Sequence, residues 1–325
     1  MCDHLDSCKN FFFTVALFLC VLMYHRRIMN NISLKPWSFE TRVIDLIQEV
    51  GQLFGDCNLC YGHGTDNPLD EAAALVLFVL GIDYSDAEEP SFSKVSAVEF
   101  KLIEKLVEQR IKERKPLAFL TQEAFFCGYK FYVDERVLIP RSPMAELIQN
   151  LFEPWIDSAS VERVLDVATG SGCLAVAIAN NFPGAEVVAS DVSKGALEVA
   201  SINVDGLSVR EQVTLVESDL FENIEGVFDL IVSNPPYVGP KSYEALPPEY
   251  HHEPGLALIA EQNGLDFIAR ILHDSPPFLR DNGILVLEMG EVAEEAEKAF
   301  PHPFKWVELD NGGGGIAVLE AKHLK

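Results

Sequence analysis

Positive charge is scarce in this chain. Its 325 residues hold 25 Lys and Arg against 50 Asp and Glu, a formal net charge of −25. Such a surface repels phosphate backbones, which argues against a general nucleic-acid binder unless basic residues cluster locally, and it attracts cationic partners. Cysteine is sparse as well: seven in all, three of them (Cys2, Cys8 and Cys20) within the first twenty residues. An odd count without framework spacing excludes a disulfide scaffold and points to a reducing compartment, the cytoplasm. Cys57 and Cys60 form a C-x-x-C. No second Cys or His pair completes a zinc set, so the two read as ordinary thiols and no metal is expected.

Long apolar runs are missing too. Phe11–Met23 gives thirteen residues, interrupted by Thr14, where a bilayer core needs about 20. Asp3 and Asp6 precede that run and Arg26-Arg27 follow it, which is the wrong charge order for a secretory signal. Residues 1–28 are therefore read as a doubtful N-terminal extension, with Met29 opening the sequence proper. A membrane or partner anchor and a cleaved signal are the alternatives. There is no internal repeat or low-complexity tract. With 48% hydrophobic residues the chain is not disordered, and its length suits about two domains.

The first of these, residues 29–121, reads as helical. Ser38 suits the N-cap of a helix over Phe39–Phe54, with Val43, Ile44, Ile47, Val50 and Phe54 at helical spacing. Leu69–Leu80 is apolar on nearly all sides and should be buried, with Gly81 stopping it. A third helix is expected from about Lys94 to Arg114, closing on the solvated cations Lys112, Arg114 and Lys115. Residues 122–142 read as a hairpin linker: aromatics alternate around Gly128-Tyr129, and Pro140 and Pro143 bracket Arg141-Ser142.

Residues 143–325 follow a strand–loop–helix grammar. Strands are expected at 161–167, 186–190, 213–217, 228–233 and 283–289. Helical stretches separate them near 173–182, 194–204, 263–280 and 291–299. Alternation of this kind makes an α/β, mostly parallel sheet covered on both faces. Segments 304–308 and 316–320 add a terminal antiparallel hairpin.

Two constellations carry chemistry. The first strand runs into Asp166, then Ala168, Thr169, Gly170, Ser171 and Gly172 ahead of a helix. The glycines let backbone turn sharply beside a ligand. Asp191, 21 residues beyond Gly170, can accept from ribose hydroxyls, so NAD binding is one reading of these residues. Asp166 suits an ammonium group better than a pyrophosphate, and Asp219 could accept from an adenine amine. Three acids around a glycine turn fit S-adenosylmethionine, a cationic ligand with amine, ribose and adenine handles.

The second constellation is Asn234-Pro235-Pro236-Tyr237, after the fourth strand. Two consecutive prolines cannot continue a central strand, so a rigid loop leaves the sheet at its ligand-binding edge. The Asn234 side-chain carbonyl and the Pro235 backbone carbonyl are two acceptors suited to a planar NH2 group, and Tyr237 offers an aromatic face. An amide nitrogen is a poor nucleophile because its lone pair is conjugated, the origin of the barrier of about 18–20 kcal/mol to amide rotation. Accepting both of its hydrogens stabilises the charge that grows on nitrogen during methylation and aims it at the donor. Exocyclic amines of adenine and guanine are equally planar, so a nucleic-acid amino-group methyltransferase stays open on these residues alone.

Residues 36–322 resemble the HemK-like family of protein glutamine methyltransferases. The likeness rests on DVATGSG (166–172), Asp191, SDLF (218–221), NPPY (234–237), HEPGLAL (252–258) and NGLD (263–266). It implies a class I methyltransferase Rossmann-like sheet and S-adenosyl-L-methionine as methyl donor, without a metal. The implied cofactor pocket has Ala168, Gly170, Gly172, Asp191, Asp219 and Leu220, with Asp166, Thr169, Ser171 and Asn234 beside them. Asn234, Pro235, Pro236 and Tyr237 are the implied grip on the glutamine, and the helical domain is the implied reader of the protein substrate. Ile139-Pro140-Arg141-Ser142-Pro143, GHGTDNPLDEA (62–72) and EYHHEP (249–254) are similar to the branch that methylates large-subunit ribosomal protein three. The release-factor branch, with P-R-P-x-T-E before the sheet, is the alternative. Glu261-Gln262 and Met289-Gly290-Glu291-Val292 depart from the family pattern and are expected to leave the proposed catalytic residues untouched. A basic ribosomal protein, caught by the acidic surface before rRNA competes for it, is the implied partner.

Overall fold

The computed structural model describes residues 41–83, 93–310 and 312–324. Ser38, Phe39, Glu40 and residues 1–28 lie outside them; Arg42 is extended and the first helix starts at Val43, later than expected. Contacts group the chain into two units: residues up to Tyr61 with Thr65–Leu120, and Gly62–Gly64 with everything from Thr121 onward. Among the described residues no helix is long and apolar enough to cross a membrane.

The first unit is built on α1 (Val43–Asp56), α2 (Pro68–Leu80) and α3 (Ala97–Lys112), followed by the short α4 (Leu117–Thr121). Val43, Leu46, Ile47, Val50 and Phe54 form the buried stripe of α1. Gly51 lets α2 approach closely, since a Cβ there would stand 3.1 Å from the Leu69 Cα. Asn67 caps α2 through its side chain, accepting from the Leu69 and Asp70 amides, and Gly81 closes the helix at φ 64°.

Helix α3 is shorter than the expected 94–114. Ser96 and Glu99 close a reciprocal capping box at its start, and Arg114 at φ 60° ends it. Arg114 is not a solvated terminus, because its guanidinium donates to the Cys57 and Asn58 carbonyls. Cys57 itself closes α1 by donating its amide to the Phe54 carbonyl.

One turn earlier, Arg110 is 1% exposed and donates to Glu71, itself 3% exposed, and to the Cys60 carbonyl. The helix pattern therefore conceals a buried ion pair.

In the second unit, β1 (Glu123–Phe126) and β2 (Tyr129–Tyr132) make an antiparallel hairpin. Then come β3 (Arg163–Val167), β4 (Glu186–Asp191), β5 (Val213–Glu217), β6 (Phe228–Ser233), β7 (Leu279–Glu288), β8 (Lys305–Trp306) and β9 (Ile316–Glu320). These seven form one sheet in the order β5-β4-β3-β6-β7-β9-β8. Strands β3 to β7 pair in parallel, while β9 runs antiparallel to β7 and to β8. Side chains alternate between the faces: Val164, Ile284 and Val286 enter one apolar core, Leu165, Leu285 and Leu287 the other. Helices α5 (Met144–Gln149) and α6 (Cys173–Asn181) supply residues to the first core, and α9 (Asp266–Asp274) to the second. Helices α7 (Lys194–Gly206), α8 (Pro240–Glu244) and α10 (Ala293–Ala299) complete the unit.

The expected helical stretch 263–280 is not continuous. Gln262 and Asn263 are left-handed, α9 stops at Asp274, and Pro276-Pro277 turn the chain into β7 four residues earlier than expected.

Strand order reverses between β4 and β6 around β3, which makes the carboxyl ends of β3 and β6 a topological switch point. There Val167 pairs with Ser233, and Ser233 with Leu287. The segments starting at Ala168 and Asn234 therefore leave the sheet side by side, next to Glu288, the last residue of β7.

Replacing Glu71 with Ala strands the Arg110 charge among apolar side chains and should cost about 3–5 kcal/mol. Hydrogen exchange of the α1–α3 amides measures that loss, and the double change Glu71→Leu, Arg110→Met should restore most of the protection.

Candidate active site

Two cavities open at this edge. The first is lined by Ala168, Thr169, Gly170 and Ser171 from the β3–α6 turn, Asp191 from β4, Asp219 and Leu220 after β5, and Asn234 and Pro236 after β6. The second, of about 620 Å³, is lined by Asn234, Pro235, Tyr237, Arg141 and Glu288, among others. Asn234 stands on the wall of both.

Around the first cavity the backbone is held in costly shapes. Ala168 (φ 60°) and Leu220 (φ 50°) are left-handed without being glycine, a conformation that persists only where surrounding structure imposes it. Gly170, at φ 55°, donates its amide to Asp191 Oδ2 at 2.9 Å, and Ser193 donates to Oδ1. Burial pushes the Asp191 carboxyl above the usual carboxylate range, and those amides oppose the rise.

Two expected cofactor residues are not on the cavity wall. Asp166 is fully buried beneath the turn, where its Oδ2 accepts from Thr169 Oγ1 (2.6 Å) and the Ala175 amide (3.1 Å). Its Oδ1 has no hydrogen-bond partner. Burial pushes this carboxyl up to about 7. Gly172 N-caps α6 at φ 79°, and a Cβ there would meet the Ala200 Cβ at 3.2 Å. Its smallness serves the packing of α6 against α7.

Asp219 does line the cavity, but it already accepts from Arg270 at 2.8 Å, with both side chains 41% exposed. An ion pair so exposed contributes little, so the carboxylate can change partner cheaply.

In the second cavity, the Tyr237 hydroxyl donates to Glu288 Oε1 at 3.2 Å. Burial, followed by the Glu288 charge, raises the phenol above its ordinary range. The ring is seated tightly: a Cβ on Gly290 would lie 2.5 Å from Tyr237 Cε2, and one on Gly264 would lie 2.2 Å from the Tyr237 carbonyl oxygen. This corrects the expectation that the 289–292 departure leaves the loop residues untouched. Gly290 is what allows the Tyr237 ring its place.

Arg141, in the proline-bracketed segment, grips Glu253 through both terminal nitrogens and lies 5.4 Å over the Tyr250 ring. Burial would raise the Glu253 carboxyl, but the His63 ring 3.5 Å away and the Arg141 guanidinium outweigh it and hold the group below the usual range.

Glu288 was missed from sequence. It is 4% exposed at the end of β7 and accepts from Ser142 Oγ as well as from Tyr237. The available signal was a carboxylate ending the apolar run Ile284–Leu287 at the ligand edge of the sheet.

The Asp166 carboxyl prefers to be neutral when folded. Its contribution to stability is present in full below the ordinary aspartate value near 3.8 and is lost as pH rises through about 7. Asp166→Asn, neutral throughout, should therefore gain stability relative to the parent as pH rises from near 3.8 to about 7, and keep that gain unchanged above it. The gain is at most about 1.4 kcal/mol per pH unit, the limit for one proton, and denaturant midpoints at several pH values measure it.

Residues 145–246, which include the β3–α6 turn and Asn234–Tyr237, match the model of the methyltransferase small domain. The ribosomal protein uL3 glutamine methyltransferase of Neisseria meningitidis serogroup B is 42% identical over 286 residues, covering 87% of this chain and 94% of that protein. The protein of the same description from Neisseria gonorrhoeae is 41% identical over 286 residues, covering 87% and 96%. On that identity and coverage, the chain belongs to the ribosomal protein uL3 glutamine methyltransferase family.

Proposed function

We propose that this chain methylates the side-chain amide nitrogen of a glutamine in ribosomal protein uL3, with S-adenosylmethionine as donor and Asn234–Tyr237 as the amide grip. The observation that carries the reading is the place of Asn234, on the wall shared by both cavities. A donor in the first cavity and an amide in the second meet at that residue and nowhere further along the loop.

The residues of the first cavity fit the donor. Asp191 and Asp219 line it as acceptors suited to ribose hydroxyls and an adenine amine, while Asp166, beneath the turn, accepts from Thr169 and the Ala175 amide and so holds the turn in shape. S-adenosylmethionine bound there supplies an electrophilic methyl carbon, whose bond to sulfur breaks with its electron pair returning to sulfur. Asn234 Oδ1 and the Pro235 carbonyl accept the two amide hydrogens and stabilise the positive charge that grows on nitrogen as the new N–C bond forms. Tyr237 and Pro236 restrict the amide to the plane in which its nitrogen faces the first cavity. One amide proton is then released to water.

The partner is a cationic protein met in the cytoplasm. A protein that packs against rRNA phosphates needs basic side chains to do so, and a chain of net charge −25 would attract such a protein before assembly occupies it.

Purified chain incubated with uL3 and S-adenosylmethionine should add one methyl group to a glutamine, read by fragment mass spectrometry. Asn234→Ala should lower kcat by at least about 100-fold while leaving the cofactor dissociation constant within a few-fold. Methyl transfer to rRNA or DNA instead of protein, or unchanged turnover in Asn234→Ala, overturns the reading.

A further inference from the structure

We propose that Glu288 is a positioning residue that fixes which end of the Asn234 side-chain amide faces the substrate. The inference rests on the glutamine-methylating reading above and adds a part that neither the motif nor the family description contains.

An Asn side chain presents two ends of nearly the same shape, a carbonyl that accepts and an NH2 that donates. Only the carbonyl end can accept a hydrogen from a substrate amide. Turned the other way, Asn234 would point two donors at a nitrogen that has only hydrogens to offer. Shape alone does not choose between these orientations, so a neighbouring group must.

Sheet register brings the chooser there. Ser233 pairs with Leu287, so Asn234 and Glu288 emerge side by side from parallel strands. Glu288 and Asn234 line the same cavity wall, and the hydrogen bonds that Glu288 accepts come from Ser142 Oγ and the Tyr237 hydroxyl. Ser142 Oγ is itself an acceptor for the Met144 amide, which leaves its proton for the carboxylate. An ionised carboxylate can only accept. Asn234 must therefore turn its NH2 towards Glu288, and its Oδ1 is left for the cavity. The same carboxylate holds the Tyr237 hydroxyl, so one group orients both ends of the four-residue loop.

The arrangement depends on Glu288 keeping its charge. The groups facing it are Ser142 and Arg141 from the segment before α5, and Asn234 and Tyr237 from the loop after β6; Glu291 also acts on Tyr237. Burial raises the carboxyl above the ordinary glutamate range, against the opposing hydrogen bonds and the Arg141 charge. Once protonated, Glu288 acquires an O–H donor that can take the Asn234 carbonyl, and the wrong orientation becomes equally good. Turnover should thus fall as pH is lowered through a value above that of an ordinary glutamate.

The test is Glu288→Gln, which keeps the shape and always carries a donor. With uL3 and S-adenosylmethionine its kcat should drop at least about tenfold, its acid limb should disappear from the pH profile, and its affinity for S-adenosylhomocysteine by calorimetry should stay within a few-fold. Calorimetry of uL3 with the S-adenosylhomocysteine-loaded variant should show weaker binding than with the parent. Ser142→Ala removes one donor to the carboxylate and should move the acid limb of kcat to higher pH without abolishing it. A Glu288→Gln enzyme with the parent's kcat and pH profile overturns the inference, as does an unmoved acid limb in Ser142→Ala. If the parent itself fails to methylate a uL3 glutamine, the proposed function falls; if the parent methylates and the variants match it, only the role of Glu288 falls.

Discussion

The parallel pairing that sets Val167 beside Ser233 and Ser233 beside Leu287 fixes everything that matters at this edge of the sheet. A slip of one residue in either register would send each flanking side chain to the opposite face of the sheet. With the register as it is, a strained glycine turn, a proline-stiffened loop and a buried carboxylate emerge as neighbours. The apolar alternation of β3, β6 and β7 into two separate cores is what holds that register in place.

Three buried carboxylates near this edge show how differently one kind of group can be used. Glu253 is paid for by Arg141 and His63 and sits below the usual range. Asp166 has only two donors and an unpartnered oxygen, and burial dominates it. Glu288 lies between the two, with hydrogen bonds from neutral side chains that moderate the cost of its charge without removing it. Bonds to neutral donors orient those donors, which is why Glu288 rather than Glu253 can organise the loop.

Much of this was legible in the sequence because it is local. The strand–loop–helix alternation marks a doubly wound sheet, and Asn234-Pro235-Pro236-Tyr237 announces itself by what prolines forbid. Ala168, Thr169, Gly170, Ser171, Asp191, Asp219 and Leu220 do gather at one cavity. What could not be read depends on contacts between distant residues. Gly172 and Gly290 look like any turn glycines until Ala200 and the Tyr237 ring are placed against them. Arg110 lies inside the expected third helix with nothing in its spacing to mark a partner, until Glu71, 39 residues away, meets it. Glu288 closes an apolar strand in sequence, and only sheet register reveals its neighbours. The expected helical stretch 263–280 ends early because Pro276-Pro277 cannot sit in a helix interior and start a separate turn instead.

The central claim is that a glutamine amide is held at the wall between the two cavities by Asn234 and Pro235. A crystal structure of the protein with S-adenosylhomocysteine and a glutamine-bearing uL3 segment measures this directly. The expected result places the glutamine amide nitrogen within hydrogen-bond distance of both Asn234 Oδ1 and the Pro235 carbonyl oxygen, facing the first cavity. A glutamine bound elsewhere in the second cavity, or one that turns its carbonyl oxygen towards Asn234, would contradict it.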